Sequence, residues 1–278
     1  MSDAPTPPAA AADARPAVRA VLLEEQRGPV RWLTLDRPAQ RNSLSPELIA
    51  ALRAALQRAD RDADARVICL TGSGDRAFCS GADLGSAASA GEAGLLGAHE
   101  GRRAYAGLLL ELSRLGKPVV ARVNGAALAG GLGLLCACDF AIAADDARFG
   151  TPEIDLGLFP YMALAPLVRT VGRRAALELV FTGRKLDAAE AKAIGLVNRA
   201  VPRAQLDAAT EELLDTLASK SPAVLRLGRR AFHLTEGLPY EQQLEALCAQ
   251  LSLNALAEDA MEGLSAFFEK RKPEWKGR

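Results

Sequence analysis

The sequence predicts an α/β protein in which short apolar strands alternate with helices. Three observations carry that expectation. Val67-Ile68-Cys69-Leu70-Thr71, Val119 to Val123 and Phe140-Ala141-Ile142-Ala143 are brief apolar runs of the kind that form buried strands. Helical patterns separate them, with Leu48, Ile49, Leu52 and Leu56 recurring on one face and a leucine-rich helix over about 101–115. From Gln205 onward the pattern is helical throughout, broken at Ser221-Pro222 and Gly237-Leu238-Pro239.

Taken in order, residues 1–18 are rich in Ala and Pro and read as a disordered leader without the features of a signal peptide. A core over 19–204 and a helical region over 205–278 follow. Val21 to Glu25 and Val30 to Leu35 form an expected hairpin turned at Arg27-Gly28-Pro29. Ser45 is placed to cap the next helix, with Pro46 at its first position. After the strand at 67–71, Ala77 to Leu84 reads as a compact loop whose small residues permit close approach to a ligand. Residues 85–98 are small and weakly patterned, and are expected to form a mobile segment beside a pocket. Gly157 to Val171 is apolar apart from Arg169 and reads as a buried helix or pocket wall. Asp187 and Glu190 frame a capping box, and Gly195 ends that helix.

The stretch Val119 to Asp139 organises the rest: a strand, then a loop of Gly and Ala, then the first turns of an apolar helix. Gly130 and Gly131 lack a Cβ, so another carbonyl can come close, and free N–H groups at the helix start suit an oxygen that turns negative during reaction. The same glycines also suit plain packing of a helix on a sheet. Glu153, set among Pro152, Ile154, Leu156, Leu158 and Phe159, has its charged form disfavoured, as a proton-transferring carboxylate requires. A surface Glu that caps a helix fits those residues too.

Several classes are disfavoured. Lys plus Arg and Asp plus Glu number 34 each, with no basic stripe, which argues against nucleic acid as a partner. No apolar run reaches the length of a membrane span. Cys69, Cys79, Cys136, Cys138 and Cys248 read mostly as buried free thiols, and no metal site is expected because no further ligand stands at the right spacing from Cys136 and Cys138. His99 and His233 lie far from the motifs, which disfavours a Ser-His-Asp engine. AGGLG is neither a dinucleotide fingerprint nor a P-loop. Reduced thiols and no targeting signal make the cytoplasm the expected compartment.

LDRPAQRNSLS at 35–45, RAFCSGADL at 76–84, VNGAALAGGLGLLCACD at 123–139, FGTPEIDLGLFP at 149–160 and FTGRKLDAAEAKAIGLVNRAV at 181–201 together resemble the crotonase superfamily, the enoyl-CoA hydratase/isomerase family. The resemblance runs from about Val21 to Arg278. It implies a spiral of ββα repeats with a C-terminal helical oligomerisation region, assembled as a trimer or dimer of trimers. It implies an acyl-CoA substrate, with coenzyme A part of that substrate and no separate cofactor. The thioester oxygen would lie between the N–H groups of Ala82 and Gly130. Ala39, Arg41, Asp83, Leu84, Gly131, Phe159 and Tyr161 would line the substrate. Lys270 and Lys272 stand where they could reach phosphate, though a solvated surface fits those lysines somewhat better.

The chain departs from the family's hydratases at one point. Of their two glutamates, the second matches Glu153 and the first falls on Gly133. One base suffices to move a double bond from the 3,4 to the 2,3 position, so Δ3 to Δ2 isomerisation with Glu153 as proton shuttle is the leading expectation. Hydration or dehydration of an unusual acyl-CoA, and a non-catalytic acyl-CoA binder, are the alternatives.

Overall fold

The computed structural model describes residues 20–83 and 94–278. The leader expected over 1–18 and the site residue Leu84 lie outside the described residues, as does most of the segment expected to be mobile.

Strands β1 (Leu22–Arg27) and β2 (Val30–Leu35) pair antiparallel, with Arg27 opposite Val30, so Gly28 and Pro29 alone make the turn. Gly28 takes φ +53°, a conformation that favours glycine. β3 (Val67–Gly72), β5 (Val119–Val123), β7 (Phe140–Ala144) and β10 (Arg199–Val201) then add parallel strands, giving a six-stranded sheet in the order β1-β2-β3-β5-β7-β10.

Both faces of this sheet are covered, which explains why β3 is apolar at nearly every position. On one face Leu33, Leu35, Ile68 and Leu70 pack with Leu48, Leu52 and Leu56 of α1 (Pro46–Arg61) and with Leu108 and Leu112 of α2 (Gly94–Arg114). On the other, Val30, Trp32, Val67, Cys69 and Val120 meet Leu214 and Ala218 of α6 (Leu206–Ala218). The chain beyond 205 is therefore no mere appendage, since its first helix completes the core.

A second sheet was not expected. β4 (Ala77–Cys79), β6 (Ala126–Leu128), β8 (Phe149–Gly150) and β9 (Lys185–Leu186) form a four-stranded sheet in the order β4-β6-β8-β9. These two- and three-residue strands, several of them alanine-rich, carry no periodicity, which is why 77–84 and 124–129 read as loops. β6 therefore stands between β5 and α3 (Gly130–Cys136), where a simple strand-loop-helix was expected.

α4 (Tyr161–Thr182) kinks where Gly172 adopts φ 76°. Over 157–171, read as a buried helix or pocket wall, burial is mixed: Leu158 and Tyr161 are exposed, whereas Ala163 and Leu167 are not. Ser45 caps α1 by accepting from the Leu48 N–H, and Asp187 and Glu190 close the capping box of α5 (Ala188–Ala193). α7 (Pro222–Thr235), α8 (Tyr240–Asn254) and α9 (Glu258–Glu269) complete the chain. α2 begins at Gly94, earlier than the expected start near 101. Cys69 and Cys79 are buried, Cys136 and Cys138 partly so, and Cys248 is exposed, an exception to the buried reading. No described helix is long and apolar enough to cross a membrane.

Candidate active site

Two loops and one helix start meet above the second sheet. Leu44 and Ala82 form a parallel bridge in which the Leu44 N–H donates to the Gly81 carbonyl and the Leu44 carbonyl accepts from the Asp83 N–H. In that geometry the Ala82 N–H points away from Leu44, and it finds no acceptor among the described residues. Asp83, expected to line the substrate, forms an ion pair with Arg37 at 2.6 Å, and Arg37 also donates to the Ser43 carbonyl at 2.7 Å. Its carboxylate thus fastens the loop that carries Ala82.

The Gly130 N–H opens α3 and likewise has no acceptor among the described residues. The preceding Ala129 sits at φ 53°, ψ −131°, a strained conformation for a residue with a Cβ. Its own N–H is held by the Gly150 carbonyl at 2.9 Å, so the strain is fixed in place and turns the Ala129–Gly130 peptide. Gly81, at φ +96°, abuts this peptide: a Cβ there would stand 3.0 Å from the Gly130 nitrogen. The two unpaired amides are therefore neighbours. Ala129 was missed because positive φ is invisible in an alanine.

Gly131, expected to line the substrate, also has a packing role. A Cβ on it would lie 2.1 Å from the Cys79 carbonyl oxygen, so its missing side chain admits β4. Asn42 and Asn124, also missed, hold the loop that leads into β4 from both sides. Asn42 donates to the carbonyls of Ser73 (3.0 Å) and Ala77 (2.8 Å), and Asn124 donates to that of Gly74 (2.7 Å) while accepting from the Gly72 N–H.

Glu153 lies in a 3-10 turn (Pro152–Leu156). Its Oε2 is buried and has no hydrogen-bond partner among the described residues. Burial raises its pKa above the usual carboxylate range, only partly offset by a backbone hydrogen bond. A half-buried carboxylate with one unpartnered oxygen costs stability, and such a group belongs to chemistry more often than to packing.

Gly133, which has no side chain, is not beside a void. A Cβ there would stand 2.5 Å from the Tyr105 hydroxyl and 3.0 Å from the Ala163 Cα. Tyr105, on the buried face of α2, donates through that hydroxyl to the Gly130 carbonyl at 2.5 Å. Burial, with the Glu153 carboxylate among the lesser causes, pushes its phenol well above its ordinary pKa, so it stays protonated.

The remaining expected residues divide. Phe159 packs on the main core and against Phe181, with ring centroids 5.5 Å apart. Tyr161 is 77% exposed, which removes it from a buried pocket wall in the single chain. Ala39 and Arg41 are exposed in the turn around a 3-10 segment (Pro38–Gln40), with Arg41 at φ 52°. Beside them lies a depression of about 250 Å³ lined by Pro38, Arg41, Ser73 and Arg76. A larger one of about 380 Å³ between α1 and α2 contains none of these residues. Lys270 and Lys272 are exposed in the segment after α9. His233, remote in sequence, reaches Asp139 at 3.4 Å, beside the ion pair that Asp139 forms with Arg229. No three His, Cys, Asp or Glu side chains gather as metal ligands among the described residues.

The family model for enoyl-CoA hydratase/isomerase matches residues 25–278. The chain belongs to the enoyl-CoA hydratase/isomerase family. A putative enoyl-CoA hydratase of Thermus thermophilus is 37% identical over 255 residues, covering 91% of this chain and 99% of that protein. The carnitinyl-CoA dehydratase of Salmonella typhi is 35% identical, with 91% and 97% covered. Among solved structures, an enoyl-CoA hydratase of Bacillus anthracis superposes with TM-score 0.88 at 34% identity, covering 93% of this chain and all of that one. The fold is thus the crotonase fold, and this chain is an enzyme of that family.

Proposed function

We propose that this family enzyme adds water to, or removes it from, an enoyl-CoA thioester, with Glu153 as the group that moves the proton and the Ala82 and Gly130 amides holding the thioester oxygen. The observation that carries the reading is the buried, unpartnered Oε2 of Glu153, in a chain whose two unpaired amides abut. A carbonyl oxygen between two N–H donors gains negative charge as the enolate forms, and such donors are each worth about 3–4 kcal/mol in the transition state. The names of the relatives favour hydratase or dehydratase chemistry over the isomerase expected from the sequence.

Double-bond migration from the 3,4 to the 2,3 position is the second reading. It is favoured by Gly133, which removes the second carboxylate and leaves one base. By analogy with the family, the acyl-CoA nucleotide end would run past the Ala39–Arg41 turn. We also read the exposed apolar helices at the C-terminus as the surface of a homotrimer or dimer of trimers.

Turnover of trans-2-enoyl-CoA and cis-3-enoyl-CoA by the wild type and by Glu153→Gln separates these readings. Hydration of the 2-enoyl thioester, falling about 10²–10⁴-fold in the variant, is the expected result. Conversion of the 3-enoyl substrate alone would replace hydration by isomerisation, and no turnover of either would leave only a binder.

A further inference from the structure

The position where the family's other glutamate is missing is filled by an oxygen from a different element. Tyr105 comes from α2, while Gly133 lies in α3, and the phenol oxygen stands where a side chain at 133 would begin. Its single proton is committed to the Gly130 carbonyl, which leaves its lone pairs as acceptors. The residue is 7% exposed, and a Cβ at Gly130 would lie 3.5 Å from its ring. The phenol is therefore wedged between Gly130, whose N–H is one candidate donor to the thioester oxygen, and Gly133.

We propose that the Tyr105 hydroxyl is a catalytic residue that holds the attacking water, accepting one of its hydrogens while Glu153 takes the other. The inference rests on the hydratase reading above. Glu153 removes a proton from the water as its oxygen bonds to C3, and the C2=C3 pair moves to make the enolate. The enolate then collapses, and C2 receives that same proton back from Glu153. Hydrogen and hydroxyl are added across the double bond, the carboxylate is regenerated, and Tyr105 keeps its own proton throughout. A neutral acceptor serves here because it needs to orient water, not to ionise.

The role separates two reactions that share Glu153 and the amides. Exchange of the C2 protons of a saturated acyl-CoA with D₂O needs the base and the oxyanion site but no attacking water. Hydration needs all three.

The test measures hydration of trans-2-enoyl-CoA and C2 exchange of the saturated thioester in the wild type, in Tyr105→Phe and in Gly133→Ala. Tyr105→Phe removes the hydroxyl and with it the hydrogen bond to the Gly130 carbonyl. Gly133→Ala crowds the hydroxyl and also meets the Ala163 Cα of α4 at 3.0 Å. Loss of a hydrogen bond to the reacting water is expected to lower kcat for hydration about 10- to 100-fold in both, with KM and C2 exchange little changed.

Full hydration in both variants overturns the proposal and leaves the hydratase reading standing. Equal loss of exchange and hydration also overturns it, because Tyr105 would then only position Gly130. A wild type that performs C2 exchange but does not hydrate overturns the hydratase reading itself, and the water-holding role with it.

Discussion

At the scale of single residues, Glu153 shows how burial couples stability to chemistry. Its pKa is raised in the folded chain, so between the unfolded value, near the ordinary 4.5, and the folded value the native state binds the proton more tightly. Stability therefore falls as pH rises through that window, and activity that depends on the carboxylate rises through the same window. Glu153→Gln, which cannot ionise, is expected to have a higher Tm than the wild type at neutral pH and to lose that advantage below about pH 4. Thermal melts of both proteins across that range, beside the pH dependence of kcat/KM, check it. An unchanged Tm difference at all pH values would show that the carboxylate is not held in an unfavourable setting. Gly131 belongs to the same scale. Its Cβ would collide with the Cys79 carbonyl, so Gly131→Ala is expected to cost about 1–3 kcal/mol in denaturant melts and to displace the Gly130 amide with it.

Among the elements, α7 is fastened more firmly than its polar sequence suggests. Arg229 donates to Asp139 at 2.8 Å and to the carbonyls of Leu112 and Leu115, tying α7 to the end of α2 and the entry to β7. Burial opposes the Asp139 charge, yet the hydrogen bond from His233 and the pull of Arg229 hold its pKa below the usual carboxylate range. That contribution is present above the ordinary 3.8 and is lost as pH falls through the folded value. Arg229→Ala strands a mostly buried carboxylate and is expected to cost about 3–5 kcal/mol, read from urea melts. A loss near zero would place α7 outside the cooperative core.

The same scale shows what pattern reading reaches. The long parallel strands were legible because burial on both faces demands unbroken apolar runs, and β5 falls on 119–123 as expected. The second sheet was not legible, because its two- and three-residue strands are held by tertiary pairing and by Asn42 and Asn124, not by any preference of their own. Of the candidate site, Ala82, Gly130 and Glu153 were readable from motif resemblance. Tyr105 was not, since one tyrosine in a leucine-rich helix looks like core.

For the whole molecule, the C-terminal helices leave an apolar surface. Leu251, Leu256, Phe267 and Phe268 are each more than two-thirds exposed, and Tyr161 and Phe181 add to the apolar area that a single chain leaves uncovered. A surface of that character is uncommon on a monomer and suits repeated copies of the same chain. Sedimentation is expected to give three or six times the 29.3 kDa chain mass. The double variant Phe267→Glu, Phe268→Glu is expected to shift it toward the single chain. A wild type that sediments as one chain at micromolar concentration would contradict the assembly.

The sequence by itself determined the α/β class, the main parallel strands, the helix caps at Ser45 and Asp187, and the family, because these depend on local pattern and on motifs contiguous in the chain. Tertiary structure alone decided that Asp83 binds Arg37, that Gly131 makes room for β4, and that a phenol from α2 stands over Gly133. Those are contacts between residues dozens of positions apart, and what a side chain touches across such a gap is set by how the layers pack.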